Sequence, residues 1–177
     1  MVLSHKKDKE GILKERAEKL ALLGTSEQIK TPSLEVVVFV LAGEKYAIES
    51  CYILEVYPIK EITYLPCSPS FIYGVMNIRR KIYSIIDLRI LLHLPIAKTN
   101  GSSKAIIIGN EHMSFGLYTE LIHDLRKLQI SEIQDPLPSM TGIYQEFIKG
   151  ITEDRLVLLD GEKLLNSNTL IIQQTMD

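Results

Sequence analysis

Turn-forming residues cut the apolar part of this chain into short runs at intervals of roughly eight to twelve residues, and that spacing constrains the fold more than any other feature. Val36-Val37-Val38-Phe39-Val40-Leu41 runs into Gly43-Glu44, and Lys45-Tyr46-Ala47-Ile48-Glu49 returns. Lys104-Ala105-Ile106-Ile107-Ile108 runs into Gly109-Asn110-Glu111, and Met113 to Tyr118 alternates on the way back. Such runs are rich in β-branched and aromatic residues, which suit a pleated, packed surface. They are too short for helices that bury a face. The first run is apolar at every position and reads as a strand buried on both faces. The spacing predicts a mainly β protein built as a small barrel or sandwich.

Residues 74–89 show the pattern most fully: Gly74-Val75-Met76-Asn77-Ile78, then Arg79-Arg80-Lys81, then Ile82-Tyr83-Ser84-Ile85-Ile86-Asp87-Leu88-Arg89. This reads as strand, charged turn, strand and a short helix from Leu88 to Leu94 that ends at Pro95. Asp87 is placed to cap that helix with its carboxylate. The segment Ile85-Ile86-Asp87-Leu88-Arg89-Ile90-Leu91-Leu92 is echoed by Leu158-Leu159-Asp160-Gly161-Glu162-Lys163-Leu164-Leu165. The echo predicts two pseudo-equivalent subdomains, with Asp160 as the second cap.

The remaining segments read less uniquely. Residues 51–57 fit a helical turn or a strand, ended by Pro58. Residues 59–64 alternate weakly and read as a strand, and Leu65-Pro66-Cys67-Ser68-Pro69-Ser70 as a loop. Residues 121–130 form two strands or one bent strand. Residues 145–151 read as a strand that turns at Thr152-Glu153-Asp154, and residues 169–172 as a last strand or an apolar tail. Residues 97–103 read as a polar loop around Asn100-Gly101. At the N-terminus, Ile12, Leu13, Ala17, Leu20, Ala21 and Leu23 fall at helical spacing among charges, up to Gly24. That amphipathic helix is either an arm on its own domain or a partner-binding element. The organisation read from these signals is 1–33 as helical extension and linker, 34–166 as the folded domain (approximate subdomain halves 34–98 and 99–166) and 167–177 as a C-terminal strand or tail.

Chemistry-bearing patterns are absent. The chain has no Gly-x-Gly-x-x-Gly, no phosphate-binding loop and no Gly-x-Ser-x-Gly elbow. His5, His93, His112 and His123 are dispersed without zinc-like spacing. Cys51 and Cys67 form no Cys-x-x-Cys and read as buried or half-buried thiols. With 177 residues and a formal net charge of −2, the chain lacks the dominant basic character of a nucleic-acid binder. No apolar run approaches the roughly 18 residues of a membrane span. The N-terminal residues lack the apolar core of a secretion signal. The expectation is a soluble cytoplasmic protein with no catalytic residue, metal or cofactor, whose function is contact. One contact suggests itself: Glu55 and Arg79 either form a partly buried bidentate pair that ties two segments together, or stand as separate solvated charges.

These residues carry a family resemblance. Gly74-Val75-x-Asn77-Ile78-Arg79-x-x-Ile82-x-x-Ile85-x-Asp87-Leu88-Arg89 resembles the signature of CheW-like domains, the bacterial chemotaxis coupling proteins. Phe39-x-Leu41 with Tyr46-Ala47-Ile48, Glu55-Val56, Pro66, Pro69, Phe71-Ile72-x-Gly74, Phe115-Gly116-Leu117 with Glu120, and residues 158–165 resemble its flanking segments, so the likeness covers roughly residues 35–166. It implies two SH3-like five-stranded β-barrels around a shared core. It implies an adaptor without catalysis that couples the cytoplasmic tips of chemoreceptors to the regulatory domain of a CheA-type histidine kinase, with membrane association only through the receptors. By the same resemblance Ile53, Glu55, Gly74, Asn77, Arg79 and Arg80 lie at the partner-binding surface. The pattern departs at Arg80, where the family usually has glycine, at Ser84 for proline and at Glu120 for aspartate. Alternatives are a coupling protein of a non-flagellar chemosensory system, or a small-ligand or enzymatic module with a pocket between the barrels.

Overall fold

The computed structural model describes residues 32–96, 103–136, 145–168 and 170. The first repeat in sequence runs β1 (Ser33–Leu41), β2 (Glu44–Glu49), β3 (Ile53–Pro58), β4 (Ile72–Ile78), β5 (Lys81–Ile86) and helix α1 (Leu88–Leu91). The second runs β6 (Lys104–Gly109), β7 (Ser114–Thr119), β8 (Leu121–Gln129), β9 (Ile148–Ile151), β10 (Val157–Leu159) and helix α2 (Gly161–Asn166). The anticipated N-terminal helix, the loop over 97–102 and most of the tail lie outside the described residues.

Two five-stranded sheets result, ordered β8-β1-β2-β10-β9 and β3-β6-β7-β5-β4. Shifting every strand five places along the chain converts one order into the other. Each sheet takes two strands from one repeat and three from the other. The halves 34–98 and 99–166 are therefore repeats in sequence, and neither is confined to one sheet. The exchange is sealed at equivalent places by parallel pairs, Tyr46 with Val157 and Ala47 with Leu158 in one sheet, Ile85 with Gly116 and Ile86 with Leu117 in the other.

Packing follows from the alternation of side chains along each strand. On β1, Phe39 and Leu41 enter the large core that also holds Ile106, Ile108, Ile86 and Leu117 of the other sheet. Val36 and Val38 point the opposite way, into a small second core with Ala47, Leu128, Leu156 and Leu158. Apolar residues at successive positions of β1 thus serve two cores. Asp87 and Asp160 both cap as the sequence predicts, accepting the backbone N–H of Arg89 and of Lys163 at 3.0 Å each. Helix α1 is shorter than Leu88 to Leu94: His93 adopts φ 52° and the Leu94 amide bonds back to the Arg89 carbonyl at 2.8 Å, a left-handed helix stop.

Several readings change. Residues 59–64 do not form a strand; Thr63 alone pairs, with Val75. Lys60, Glu61, Thr63 and Tyr64 are exposed, so the segment has too little apolar surface to hold a strand in place. Residues 50–52 form a 3₁₀ turn ahead of β3, and 145–147 another ahead of β9. Residues 121–129 are one strand, offset by a bulge opposite Val38 and Phe39. Both cysteines are exposed rather than buried. Cys51 sits on the 3₁₀ turn, and Cys67 in the proline-flanked loop with φ 60°, so neither lies on a core-facing strand position.

Candidate partner-binding site

The turn between β4 and β5 has only two central residues, Arg79 and Arg80, with Ile78 paired to Lys81. Their φ angles are 49° and 69°. Positive φ at both positions is what a two-residue hairpin of matching twist requires. The β1–β2 hairpin solves the same problem with Ala42 at 52° and Gly43 at 81°. At the second central position, Arg80 thus occupies a conformation that glycine holds elsewhere in this chain.

Arg79 reaches back across the sheet. Its Nη1 lies 3.8 Å from Glu55 Oε2, and its guanidinium stands 5.8 Å from the centre of the Tyr57 ring. Glu55 and Tyr57 belong to β3, at the opposite end of the sheet order from β4, so the sheet curls far enough to bring its ends together. The Arg79 side chain is 79% exposed and that of Glu55 23%. The contact is a single long approach rather than a buried bidentate pair. Lys81 is better held: its Nζ donates to Ser114 Oγ at 2.9 Å and lies 4.9 Å from the Tyr83 ring centre. Arg80, exposed, makes no hydrogen bond, ion pair or ring contact among the described residues.

The other residues singled out by sequence fall in two groups. Asn77 is exposed at the end of β4, paired with Ile82, whose side chain is also exposed. These two share the hairpin tip with Arg79 and Arg80. Ile53 opens β3 opposite Ile108 and packs against the large core. Gly74 is buried in β4, five residues before Arg79 and so roughly 15 Å from it. Its φ is 150°, and a Cβ there would stand 2.6 Å from Ile62 Cγ1 and 2.8 Å from the Thr63 carbonyl oxygen. The glycine lets the 59–64 segment cross β4, where Thr63 and Val75 exchange backbone hydrogen bonds of 2.8 and 3.0 Å. Leu54 and Val56 on β3 add exposed apolar surface.

Sequence reasoning missed a buried charge cluster. Arg89 donates from Nε to Asp87 Oδ1 at 3.0 Å, from Nη2 to Asp87 Oδ2 at 2.8 Å and from Nη1 to Glu120 Oε1 at 3.0 Å. Its guanidinium stacks over the Tyr118 ring at 4.2 Å. Hydrogen bonding to Asp87, opposed by burial, pushes Arg89 still further above the ordinary arginine value. The signal was present: an arginine two residues after a capping aspartate, within an otherwise apolar run, has a carboxylate in reach on its own turn. The third member, Glu120, comes from a distant part of the chain and could be found only in three dimensions.

A separate open cleft of about 350 Å³ is lined by Arg126, Ser131, Glu132, Gln134, Thr152, Glu153 and Asp154, from β8 and the segment after it and from the turn between β9 and β10. Arg126 Nη1 and Asp154 Oδ2 face each other there at 2.6 Å. Hydrogen bonds from Thr152 and then Arg126 hold the Asp154 carboxyl below its usual range. The two side chains satisfy each other, so their shifts reflect an ion pair and not an acid or base set up for proton transfer. Among the described residues, no group of three or more His, Cys, Asp or Glu side chains is placed to hold a metal ion, and no helix is long and apolar enough to cross a membrane.

The hairpin tip thus presents exposed charge beside exposed apolar side chains, while the buried charges of Arg89, Asp87 and Glu120 satisfy one another. The chain belongs to the CheW-like domain family, whose model matches residues 35–169. It is 26% identical over 149 residues to a chemotaxis protein CheW of Treponema pallidum, covering 80% of this chain and 88% of that protein. It is 25% identical over 154 residues to a chemotaxis protein CheW of Helicobacter pylori, covering 85% and 93%. Among solved structures, the crystal structure of the scaffolding protein TtCheW from Thermoanaerobacter tengcongensis superposes with a TM-score of 0.67 at 28% identity, covering 77% of this chain and 95% of that one.

Proposed function

We propose that this chain is a non-enzymatic adaptor of a bacterial chemosensory array, joining the cytoplasmic tip of a chemoreceptor to the regulatory domain of a CheA-type histidine kinase. The observation that carries the reading is the family match across nearly the whole of the described fold, with matched relatives that are chemotaxis proteins. The site is consistent with it. Asn77, Arg79 and Arg80 at the hairpin tip, with Glu55 and Ile53 on β3, form the contact surface, and Gly74 keeps β4 in place behind it. Each five-stranded sheet closes as an SH3-like barrel; the reach of Arg79 from the β4–β5 hairpin to Glu55 on β3 supports that closure in the second sheet. The protein works in the cytoplasm and meets the membrane only through its receptors, with no cofactor and no nucleic acid.

The test is co-purification of the full chain with the kinase regulatory domain and with a receptor cytoplasmic fragment from the same organism. Binding to both, singly and together, is expected. A folded protein that binds neither overturns the reading.

A further inference from the structure

Two glycines admit two equivalent straps, each joining the end strands of its own sheet. After β3 the chain passes over β4 at Gly74, and Thr63 and Val75 exchange backbone hydrogen bonds of 3.0 and 2.8 Å. After β8 it passes over β9 at Gly150, and Gln134 and Ile151 exchange backbone hydrogen bonds of 2.9 Å each. A Cβ on Gly74 would meet Ile62 and the Thr63 carbonyl oxygen, and a Cβ on Gly150 would meet Ile133 and the Gln134 carbonyl oxygen. The two straps are held differently. The second follows directly on the 3₁₀ turn Ile130–Glu132, where Glu132 Oε2 accepts the Gln129 amide, and its Ile133 packs on the small core. The first is longer, and no residue from Ile59 to Ser70 is buried. Its backbone is tied to the rest of the fold by the Thr63–Val75 pair and by the Ile59 amide on the Ser103 carbonyl at 2.9 Å. Ile59 and Ile62 pack partly against the large core, while Tyr64 rests edge-on against Tyr73 and stays 70% exposed. Pro66 and Pro69 contribute no N–H to any tie. A segment with few buried apolar contacts and solvent-exposed backbone bonds opens at far lower cost than the whole fold.

We infer that residues 59–70 form a latch on the outer edge of β4, and that this strap, and not its counterpart over β9, opens as a unit while both sheets stay folded. Opening breaks the Thr63–Val75 pair and the Ile59 tether, and leaves the backbone N–H and C=O of Val75 unpaired at the end of the sheet. Among the described residues, Thr63 is all that pairs with β4 on that side. An uncovered edge is a template for pairing with another strand. The closed strap therefore shields the strand that carries Asn77 to the hairpin tip, and the open strap exposes it. Gly74 is the hinge point of this device, since only a residue without Cβ lets the strap lie down again. The inference stands apart from the proposed coupling role and does not depend on it.

Native-state hydrogen exchange of the full chain, at rising urea below its unfolding transition, tests the strap. The Thr63 and Val75 amides are expected to exchange about a hundredfold or more faster than the Ile106 amide of the central strand β6. Their rate should respond weakly to urea, because opening the strap exposes little surface. The Gln134 and Ile151 amides are expected to exchange more slowly than the Thr63 and Val75 amides. A second form carries Thr63→Cys and Val75→Cys, with Cys51→Ser and Cys67→Ser so that no other thiol competes. Residues that exchange both backbone bonds across an antiparallel pair stand about 5.5 Å apart at Cα, within reach of a disulfide. Closing that disulfide should slow exchange at positions 63 and 75 by about tenfold or more, and reduction should restore the native rates. Thr63 and Val75 amides that exchange with Ile106, at the same rate and urea dependence, overturn the inference, because the strap then opens only with the whole fold. Exchange at Gln134 and Ile151 as fast as at Thr63 and Val75 overturns the assignment of the opening to the first strap. Rates at positions 63 and 75 that are the same in the oxidised and reduced forms also overturn it, because the opening then lies elsewhere. None of these outcomes bears on the coupling role, which is tested by co-purification.

Discussion

Arg89 Nη1 lies 3.0 Å from Glu120 Oε1, and the same carboxylate oxygen accepts the Ala42 amide at 3.1 Å. Arg89 follows β5 of one sheet, Ala42 sits in the β1–β2 turn of the other, and Glu120 joins β7 of one to β8 of the other. A single buried guanidinium therefore ties the two sheets at the place where the chain passes between them. The side chains of Arg89 and Asp87 are 4% and 3% exposed, and that of Glu120 12%. Removing the cation strands two carboxylates in a low-dielectric site, which is more damaging than the pair's net contribution suggests.

Arg89→Ala should destabilise the fold by about 3–5 kcal/mol in urea denaturation. A milder cycle of Arg89→Lys with Glu120→Gln should show a coupling energy above about 0.5 kcal/mol, since the two groups share one network. An Arg89→Ala loss within the range of an ordinary surface substitution would show that the cluster does not hold the sheets together.

Gly74→Ala should lower stability by more than about 1 kcal/mol, because the native φ and the approach of Ile62 and Thr63 both exclude a Cβ. The thermal midpoint of the variant is the measurement. An unchanged midpoint would mean that the 59–64 segment moves aside without penalty.

The Arg79–Glu55 contact should contribute little to folding. With a 3.8 Å approach and a largely exposed arginine, a double-mutant cycle to alanine should give a coupling of no more than about 1 kcal/mol. If Arg79 matters to function, Arg79→Ala should reduce receptor-fragment binding in a protein of near-native stability. A coupling of several kcal/mol would place a tighter pair in solution than the geometry describes.

Burial, and then the charge of Glu44, pushes the Tyr46 phenol up to about 12 from 10.0. The unfolded chain loses that proton first, so the native state binds more protons above the unfolded value. The stability that Tyr46 contributes as a neutral phenol is complete below about pH 10 and is lost as pH rises toward about 12. Urea midpoints measured across that interval should fall more steeply in the native chain than in Tyr46→Phe. Equal slopes would show that Tyr46 titrates as an exposed tyrosine does.

Features that depend on neighbouring residues were legible in the sequence. The capping roles of Asp87 and Asp160 span two and three residues, the hairpin at Arg79-Arg80 spans four, and the two-faced burial of β1 shows in its unbroken apolar run. The repeat of Asp plus Leu-rich helix was legible too, because both copies solve the same local problem. A weak alternation over 59–64 misled, since periodicity without enough apolar area does not hold a strand. Cys51 and Cys67 misled because cysteine's usual preference for the interior is only a tendency, and here a 3₁₀ turn and a proline-flanked loop keep both at the surface.

By itself, then, the sequence determined a mainly β chain of two short-stranded repeats with capped helices, and a cationic hairpin that carries the family signature. The tertiary structure decided which strands share a sheet: β8, β9 and β10 join β1 and β2, while β3, β4 and β5 join β6 and β7. It also decided that Arg89 meets Glu120 rather than solvent, and that Arg79 holds Glu55 only loosely while the Arg80 side chain has no partner among the described residues. The reason is one of range. Caps, turns and alternation are set by energies between residues a few positions apart. Strand exchange and buried ion clusters are set by which distant surfaces can be buried together with every charge satisfied, a condition met only when the whole chain is in place.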